Sequence, residues 1–295
     1  MDAQTKYSSV LVAYYAGVTT DLPPVSPFAR ELARLPLTAS VQGETLFNAY
    51  RTDPFLCAKL LGVANSIFFN FDHQTICTLD EAFARVGHKY ARNLLVEAPQ
   101  LADDVDGQCS NSYWAHCMSV AHMARRVADI AREAPFEPDA AYAMGMIHDI
   151  GYLLQIHYSP GLFPAVVRAL EHSEPGCRDD SHAHHGEELA RFWSLPASAV
   201  AAIKHHHCPN GCDNQRGRWL SRVILLSEML SSSCARETKT VPRAAEIDRC
   251  IAELSIPRAD LESVVFEGAR IHGECVRIAK NGGESLDTLF PRGSG

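Results

Sequence analysis

The sequence of 295 residues lacks any run of about 20 consecutive apolar residues, the length that a helix needs to cross a bilayer. We therefore expect no membrane span. No cluster of basic residues precedes the first apolar stretch, so a secretory signal is not expected either. Basic residues are the minority charge, with 27 against 35 acidic residues, and the net charge is -8. This balance argues against a nucleic-acid backbone or an anionic membrane as the main partner.

Alternating apolar and polar runs, which predict β-strands, are also missing, as are repeats of fixed period and low-complexity tracts. Apolar residues recur instead at helical spacing, for example in "TDPFLCAKLLGVANSIFF" and "RWLSRVILLSEMLSSS". The segment "TLDEAFARVGHKYARNLLVEA" opens with Thr78 and Glu81 at the spacing of a helix capping box. The sequence predicts an all-α protein.

A polar stretch, "QLADDVDGQCSNS" at residues 100–112, separates two groups of predicted helices. Its Asp, Ser, Asn and Gly residues favour a junction. We predict two helical subdomains, residues 1–105 and 106–285, with an extensive apolar interface between them. Residues 286–295 are interpreted as a tail outside the fold, of the kind that an expression vector leaves.

The ten cysteines are scattered, and most lie in helix-like segments rather than in the framework of a short secreted protein. We interpret them as reduced thiols of a cytoplasmic protein. Two interpretations are open for Cys208 and Cys212 in "HCPNGC": a small zinc site with the preceding histidines, or a loop with two thiols, which we favour.

The segment "GMIHDIGYLLQIHY", residues 145–158, is apolar nearly all the way round a helix, which is typical of a buried helix. His148 and Asp149 nevertheless stand side by side in its middle. Burying such groups without partners costs roughly 2–7 kcal/mol each. We therefore expect both to have a shared partner in the core, with Gly145 and Gly151 letting neighbouring helices come close.

Other imidazole and carboxylate groups fall at positions predicted to face the core. His116 is on the inward face of its helix, whereas His122 is on the opposite face and is expected to face water. Further histidines occur in "HAHHGEE" and "AIKHHH", and Glu228 lies inside the apolar "VILLSEML". One divalent cation could satisfy several of them, and this mixture of ligands suits Fe, Mn or Zn.

This ordered series of motifs resembles the HD phosphohydrolase superfamily, and the chain is most similar to its HDOD branch of bacterial signalling proteins. The resemblance covers about residues 22–235 and includes "TDPFLCAKLLGVANSIFF", "YWAHCMSVA", "GMIHDIG", "HAHHGEELARFWSLP" and "AIKHHHCP". It implies that the second subdomain is an HD-type helical bundle.

The resemblance also implies a set of metal ligands. A first ion would be held by His116, His148, Asp149 and Glu228, and a second, as in the sister HD-GYP branch that hydrolyses cyclic di-GMP, by His182, His206 and His207. Tyr152 stands where the superfamily's enzymes often have a lysine that meets substrate phosphate, so it is the candidate substrate-binding residue. The HD-GYP substrate loop has no counterpart here, and Ser112 stands where some relatives have a bridging glutamate.

Many HDOD proteins have lost such ligands and are not expected to be enzymes. We therefore expect a bacterial regulatory protein that keeps a site for one or two divalent ions and acts mainly by binding a signalling partner, a nucleotide or a cyclic dinucleotide. The alternative is a metal-dependent phosphohydrolase acting on a cyclic dinucleotide or nucleotide, with Asp149 as its catalytic residue. The sequence is compatible with both.

Overall fold

The computed structural model describes residues 26–97, 107–132, 134–153, 181–236 and 244–281. Within these ranges the protein is all-α, as predicted, with twelve α-helices and no strand. The helices are α1 (Pro27–Arg34), α2 (Gly43–Arg51), α3 (Pro54–Asn65), α4 (Leu79–Val86), α5 (His88–Val96), α6 (Gly107–Ile130), α7 (Pro138–Ile147), α8 (Ser181–Phe192), α9 (Ala197–His205), α10 (Gln215–Arg236), α11 (Ala244–Glu253) and α12 (Arg258–Asn281).

Side-chain caps fix where several helices begin. The Thr78 hydroxyl accepts the Glu81 N–H at 3.3 Å and so starts α4 at the predicted capping box. The Asp53 carboxylate caps α3 through the Leu56 N–H at 2.9 Å and also accepts the Ser26 N–H at 2.5 Å. Asp53 is fully buried, and burial raises its pKa to about 6 against these hydrogen bonds. One carboxylate thus ties the start of α1 to the start of α3.

Helix α6 is the centre of the second half of the fold and packs against α7, α10 and α12. The prediction that His122 faces water is wrong. It is 6% exposed, and its ring lies edge-on to Tyr142 at 5.1 Å. Because α6 is covered by α7 on one side and α12 on another, it has two buried faces rather than one. Burial lowers the pKa of His122 to about 3, so this imidazole is neutral.

The proposed junction lies partly inside a helix. Because α6 begins at Gly107, residues 107–112 of the polar stretch are helical, while residues 98–106 lie outside the described ranges. The division of the chain at residues 105 and 106 stays a prediction. Helices from the two sides are in close contact, because Phe55 packs edge-on against Trp193 at 5.5 Å and the Tyr142 hydroxyl donates to the Arg51 carbonyl at 2.6 Å.

The structure can be compared with two predictions made from composition, the absence of a membrane span and the presence of reduced cysteines. None of the helices in the described part of the chain is both long and apolar enough to cross a membrane. Seven cysteines in this part of the chain are free thiols, and one of them, the buried Cys212, donates to the Asn214 carbonyl at 3.4 Å.

Candidate metal centre

Four helices bring together six chemically active side chains at one buried point. His116 lies on α6 and His182 on α8, while His148 and His206 are the C-caps of α7 and α9. Asp149 and His207 directly follow these two caps. Helix C-termini carry partial negative charge, so two of them meeting at one point favour a cation there.

We expected His148 and Asp149 in the middle of a helix. They lie instead in the turn that ends α7. Helix α7 stops at Ile147, and the next hydrogen bonds, from Ile150 N to the Ile147 carbonyl and from Tyr152 N to the Asp149 carbonyl, span three residues instead of four. The tighter turn lets both neighbouring side chains point to the same place.

Backbone carbonyls orient two of the imidazoles. Nδ1 of His148 donates to the Gly145 carbonyl at 2.8 Å, and Nδ1 of His206 donates to the Ile203 carbonyl at 2.6 Å. A neutral imidazole in this state carries its lone pair on Nε2, which faces the cluster in both cases. Such an orienting bond on the far nitrogen is what metal-binding histidines usually have.

Asp149 joins two groups of ligand atoms. In the first group, its Oδ2 lies 3.3 Å from His116 Nε2 and 3.2 Å from His148 Nε2, and these two nitrogens are 3.3 Å apart. In the second group, its Oδ1 lies 3.3 Å from His182 Nε2 and 3.4 Å from His206 Nε2.

The second group has one more member. Nε2 of His182 lies 3.3 Å from Nε2 of His206 and 3.0 Å from Nε2 of His207. The first group therefore offers three ligand atoms and the second offers four, and within each group these atoms all lie within 4.8 Å of one another. The first group is thus His116, His148 and Asp149, and the second group is Asp149, His182, His206 and His207.

The charges of the cluster suit metal binding. Burial alone would raise the pKa of Asp149, but the adjacent His148 and the imidazoles of His116 and His182 outweigh burial and hold this pKa well below its usual range. Burial lowers the pKa of His206, and burial together with His206 lowers that of His207 to about 2. The cluster thus combines an ionised carboxylate with two imidazoles, His206 and His207, that favour the neutral form, the states in which these side chains ligate metals.

The spacing also fits a metal ion. Nitrogen ligands about 2.0–2.1 Å from a tetrahedral zinc ion lie about 3.3–3.4 Å from one another. The nitrogen–oxygen separations in both groups, 3.2–3.4 Å, agree with this value. Asp149 Oδ1 is buried without a hydrogen-bond partner among the described residues. A divalent cation would satisfy this oxygen and the nitrogen lone pairs that face it.

Close helix contacts at two glycines position the ligands. A Cβ on Gly145 would lie 2.8 Å from the Ala121 Cα, so α7 packs directly on the backbone of α6. A Cβ on Gly151 would overlap the His182 carbonyl oxygen and lie 2.7 Å from the Gly186 nitrogen. Both contacts agree with the close approach of helices that was predicted at these glycines. The contact at Gly151 brings His182 next to Asp149.

The HDOD domain family model matches residues 22–209, which is more than half of the chain. The chain belongs to the HDOD family. Its matched region contains every member of both groups but ends before Glu228.

Solved structures share the fold of this HDOD chain. The MmoQ response regulator from Methylococcus capsulatus has a TM-score of 0.61 at 20% identity, and the match covers 83% of this chain and 98% of that one. A virulence factor from Campylobacter jejuni has a TM-score of 0.59 at 15% identity, covering 85% of this chain and 93% of that one. No curated protein matches the chain.

Glu228 and Tyr152 lie beside the second group of this HDOD site. Glu228, which is 3% exposed, has its Oε2 3.7 Å from His207 Nδ1 and is a member of neither group. The Tyr152 ring stacks on the His182 imidazole with centroids 4.2 Å apart and planes 7° apart. The resemblance implied Glu228 as a ligand of the first ion, and this role stays a prediction; in the structure its carboxylate lies next to His207.

Other polar residues lie around the cluster or away from it. Tyr113 supports the site although it was not among the predicted site residues: its hydroxyl donates to the Asp149 carbonyl at 3.1 Å, and its inward position on α6 was the only indication in the sequence. His73 lies in a loop with a φ of 52°, and neither it nor His122 belongs to either group. Cys208 and Cys212 are not members either. His172 lies outside the described residues.

Proposed function

We propose that this HDOD protein is a bacterial, cytoplasmic signal-transduction protein that holds one or two divalent metal ions and acts mainly by binding a partner protein or a nucleotide-type ligand. The proposal rests on one combination of features. The ligand cluster is well formed, but Tyr152 stands where the superfamily's enzymes often have a lysine. The cluster supports metal binding, and Tyr152 weakens the case for turnover.

Fe, Mn or Zn is the metal that the ligands suit, because they combine imidazole with a single carboxylate. The first group and the second group would each hold one ion, with Asp149 shared between them. Such an ion, when bound, lowers the pKa of a coordinated water towards about 7 and polarises phosphoryl oxygens.

Phosphoryl transfer also needs positive charge from the protein where negative charge develops on phosphate oxygens. Tyr152 is neutral, and its ring is already stacked on His182. These features favour a site that binds over one that hydrolyses.

The second candidate function is a metal-dependent phosphohydrolase acting on a cyclic dinucleotide or nucleotide. The bridging position of Asp149 favours it, because two ions about 3.5–4 Å apart are a common arrangement in phosphate-hydrolysing enzymes. In this case Asp149 would be the catalytic residue, and Tyr152 would contact the substrate.

An assay of cyclic di-GMP hydrolysis with Mn or Fe supplied separates the two functions. We expect the wild type to bind metal and to hydrolyse slowly or not at all. Tyr152→Lys tests whether positive charge is the missing part, and Tyr152→Phe is its control because it keeps the ring on His182. Activity that appears only in Tyr152→Lys would show that the metal centre is competent. Robust wild-type hydrolysis that is lost in Asp149→Ala would establish the enzyme instead.

A further inference from the structure

Helix α12 packs on the core along one side and leaves an aromatic side chain uncovered on the other. Its inner side lies against α6 and α10, and its buried residues include Val264, Ile271 and Cys275. On its outer side Phe266 is 88% exposed, more than any other large apolar residue of the described ranges, and Val265 beside it is also exposed. A single exposed aromatic residue is ordinary, so its surroundings decide whether another molecule fits there.

The exposed positions around Phe266 form one stripe along the helix. They recur every three or four residues, the spacing at which side chains share a helix face. We call them the outer stripe of α12, and they are Ala259, Glu262, Phe266, Ala269, Gly273, Arg277 and Lys280, all exposed. The stripe is about 32 Å long from its first residue to its last. An exposed stripe with this spacing has the form that packs against a second helix.

A recess lies two turns from the protruding ring of Phe266 on the same face. It is formed at Gly273, where an added Cβ would meet no atom of the described chain within 4 Å. Because glycine has no side chain, an aromatic ring can approach the helix backbone there. A second copy of α12 that runs in the opposite direction would place Phe266 of each copy against Gly273 of the other.

The charges of the outer stripe favour the same antiparallel pairing. Its carboxylate, Glu262, is near the N-terminal end, and its cations, Arg277 and Lys280, are at the C-terminal end. Residues 262 and 277 have the same midpoint as residues 266 and 273, between positions 269 and 270. Glu262 of each copy would therefore be level with Arg277 of the other, and symmetry makes this contact twice. A parallel pairing would place like charges against each other instead.

Two arginines near the outer stripe also have acidic neighbours within their own chain. Arg277 pairs with Glu274, but a pair as exposed as this one contributes little, so Arg277 can turn to a second carboxylate. Arg270, beside the middle of the stripe, lines a cavity of about 590 Å³ together with Glu137 and Asp139. The opposite charge of these groups offsets the repulsion between Arg270 and its counterpart in a second copy.

We propose that the outer stripe of α12 is the contact surface of a homodimer, in which the helix packs antiparallel on the same helix of a second copy. The stripe is complementary to itself in shape through Phe266 and Gly273, and in charge through Glu262 and Arg277. A two-fold symmetric contact uses the same surface on both copies and needs this self-complementarity. One pair of helices is a small interface, so the dimer is weak and reversible. The inference is independent of the metal site.

Sedimentation velocity of the purified chain at about 1–500 µM tests the inference. We expect a monomer–dimer equilibrium with a dissociation constant of about 1–100 µM, as a small interface gives. Phe266→Glu should weaken the dimer at least about 100-fold, because it removes an apolar contact and adds a charge in both copies. Phe68→Glu is the matched control, since Phe68, in the turn after α3, is 76% exposed. It should leave the equilibrium unchanged.

Charge reversal tests the antiparallel register. Glu262→Lys should place two cations together, and Arg277→Glu should place two carboxylates together, so each variant should dimerise about 5–30-fold more weakly than the wild type. A mixture of the two variants should form a mixed dimer about as tightly as the wild type does. In that dimer the new lysine of one chain meets the new glutamate of the other, and the two unchanged residues also meet.

Other results overturn the inference. A wild type that stays monomeric up to about 500 µM would do so, as would a dimer that none of these substitutions weakens. If Phe68→Glu removes the dimer and Phe266→Glu keeps it, the contact lies at the turn after α3. A mixture of charge variants that associates no better than either variant alone would contradict the antiparallel pairing. All these substitutions are at exposed positions, and an unchanged circular dichroism spectrum would separate lost association from lost folding.

Discussion

In Asp149→Asn we expect added metal to stabilise the fold hardly at all, because the substitution impairs both ligand groups at once. Asp149 supplies one oxygen to each group, and an amide can offer an oxygen to only one of them, without the negative charge. A metal at a thousand times its dissociation constant stabilises the folded state by about 4 kcal/mol. The free energy of unfolding, measured with and without added Mn or Zn, should rise by such an amount in the wild type and hardly change in Asp149→Asn.

Asp139→Asn is the matched control for this experiment. Asp139 is on α7, the helix that ends just before Asp149, but its side chain is 45% exposed and pairs with Arg125 at 2.9 Å. Its replacement should leave the stabilisation by metal as it is in the wild type. If Asp149→Asn is stabilised by metal as much as this control, Asp149 does not join the two groups.

Gly151→Ala should destabilise the protein by about 3 kcal/mol or more, at the upper end of what overpacking usually does. The new Cβ would overlap the His182 carbonyl and approach the Gly186 nitrogen, and backbone atoms cannot turn away as a flexible side chain can. To relieve the overlap, α8 would move away from the turn after α7 and carry His182 away from Asp149. We therefore expect weaker metal binding together with a lower free energy of unfolding in a urea titration.

The same substitution at Gly273 should have the opposite effect on the stability of the fold. Gly273 lies within α12, and a Cβ there would meet nothing within 4 Å. Alanine in a helix interior is favoured over glycine by roughly 0.5–1 kcal/mol, so this variant should be slightly more stable than the wild type. If Gly151→Ala is as stable as Gly273→Ala, α8 does not pack on Gly151 as the structure shows.

Helical periodicity was sufficient to predict the all-α fold, because the helices carry apolar residues on faces that pack in the core. Local signals gave some of their ends, such as the cap of α4 at Thr78. The end of α7 could not be predicted in this way, because apolar residues continue past Ile147 and hide the turn at His148 and Asp149. The two-sided burial of α6 was hidden for a similar reason, since charged neighbours of His122 suggested an exposed face.

The histidines of the site could be found from sequence, because buried imidazoles in ordered motifs are unusual and match a known series. The position of Glu228 could not. The direction of its carboxylate depends on how α10 is rotated against the turn after α9, and side-chain spacing along one helix carries no information about its neighbour. Gly151 was named as a place of close approach, but only the fold shows that its neighbour is His182.

The metal content of the purified protein, compared with that of His148→Ala, tests the central claim most directly. After removal of metal with a chelator, dialysis against Zn or Mn at saturating concentration should give two ions per wild-type chain. His148 belongs to the first group alone, so His148→Ala should lose one ion and keep the other. A wild type without bound metal, or the same ratio in both proteins, would contradict a metal centre built around Asp149.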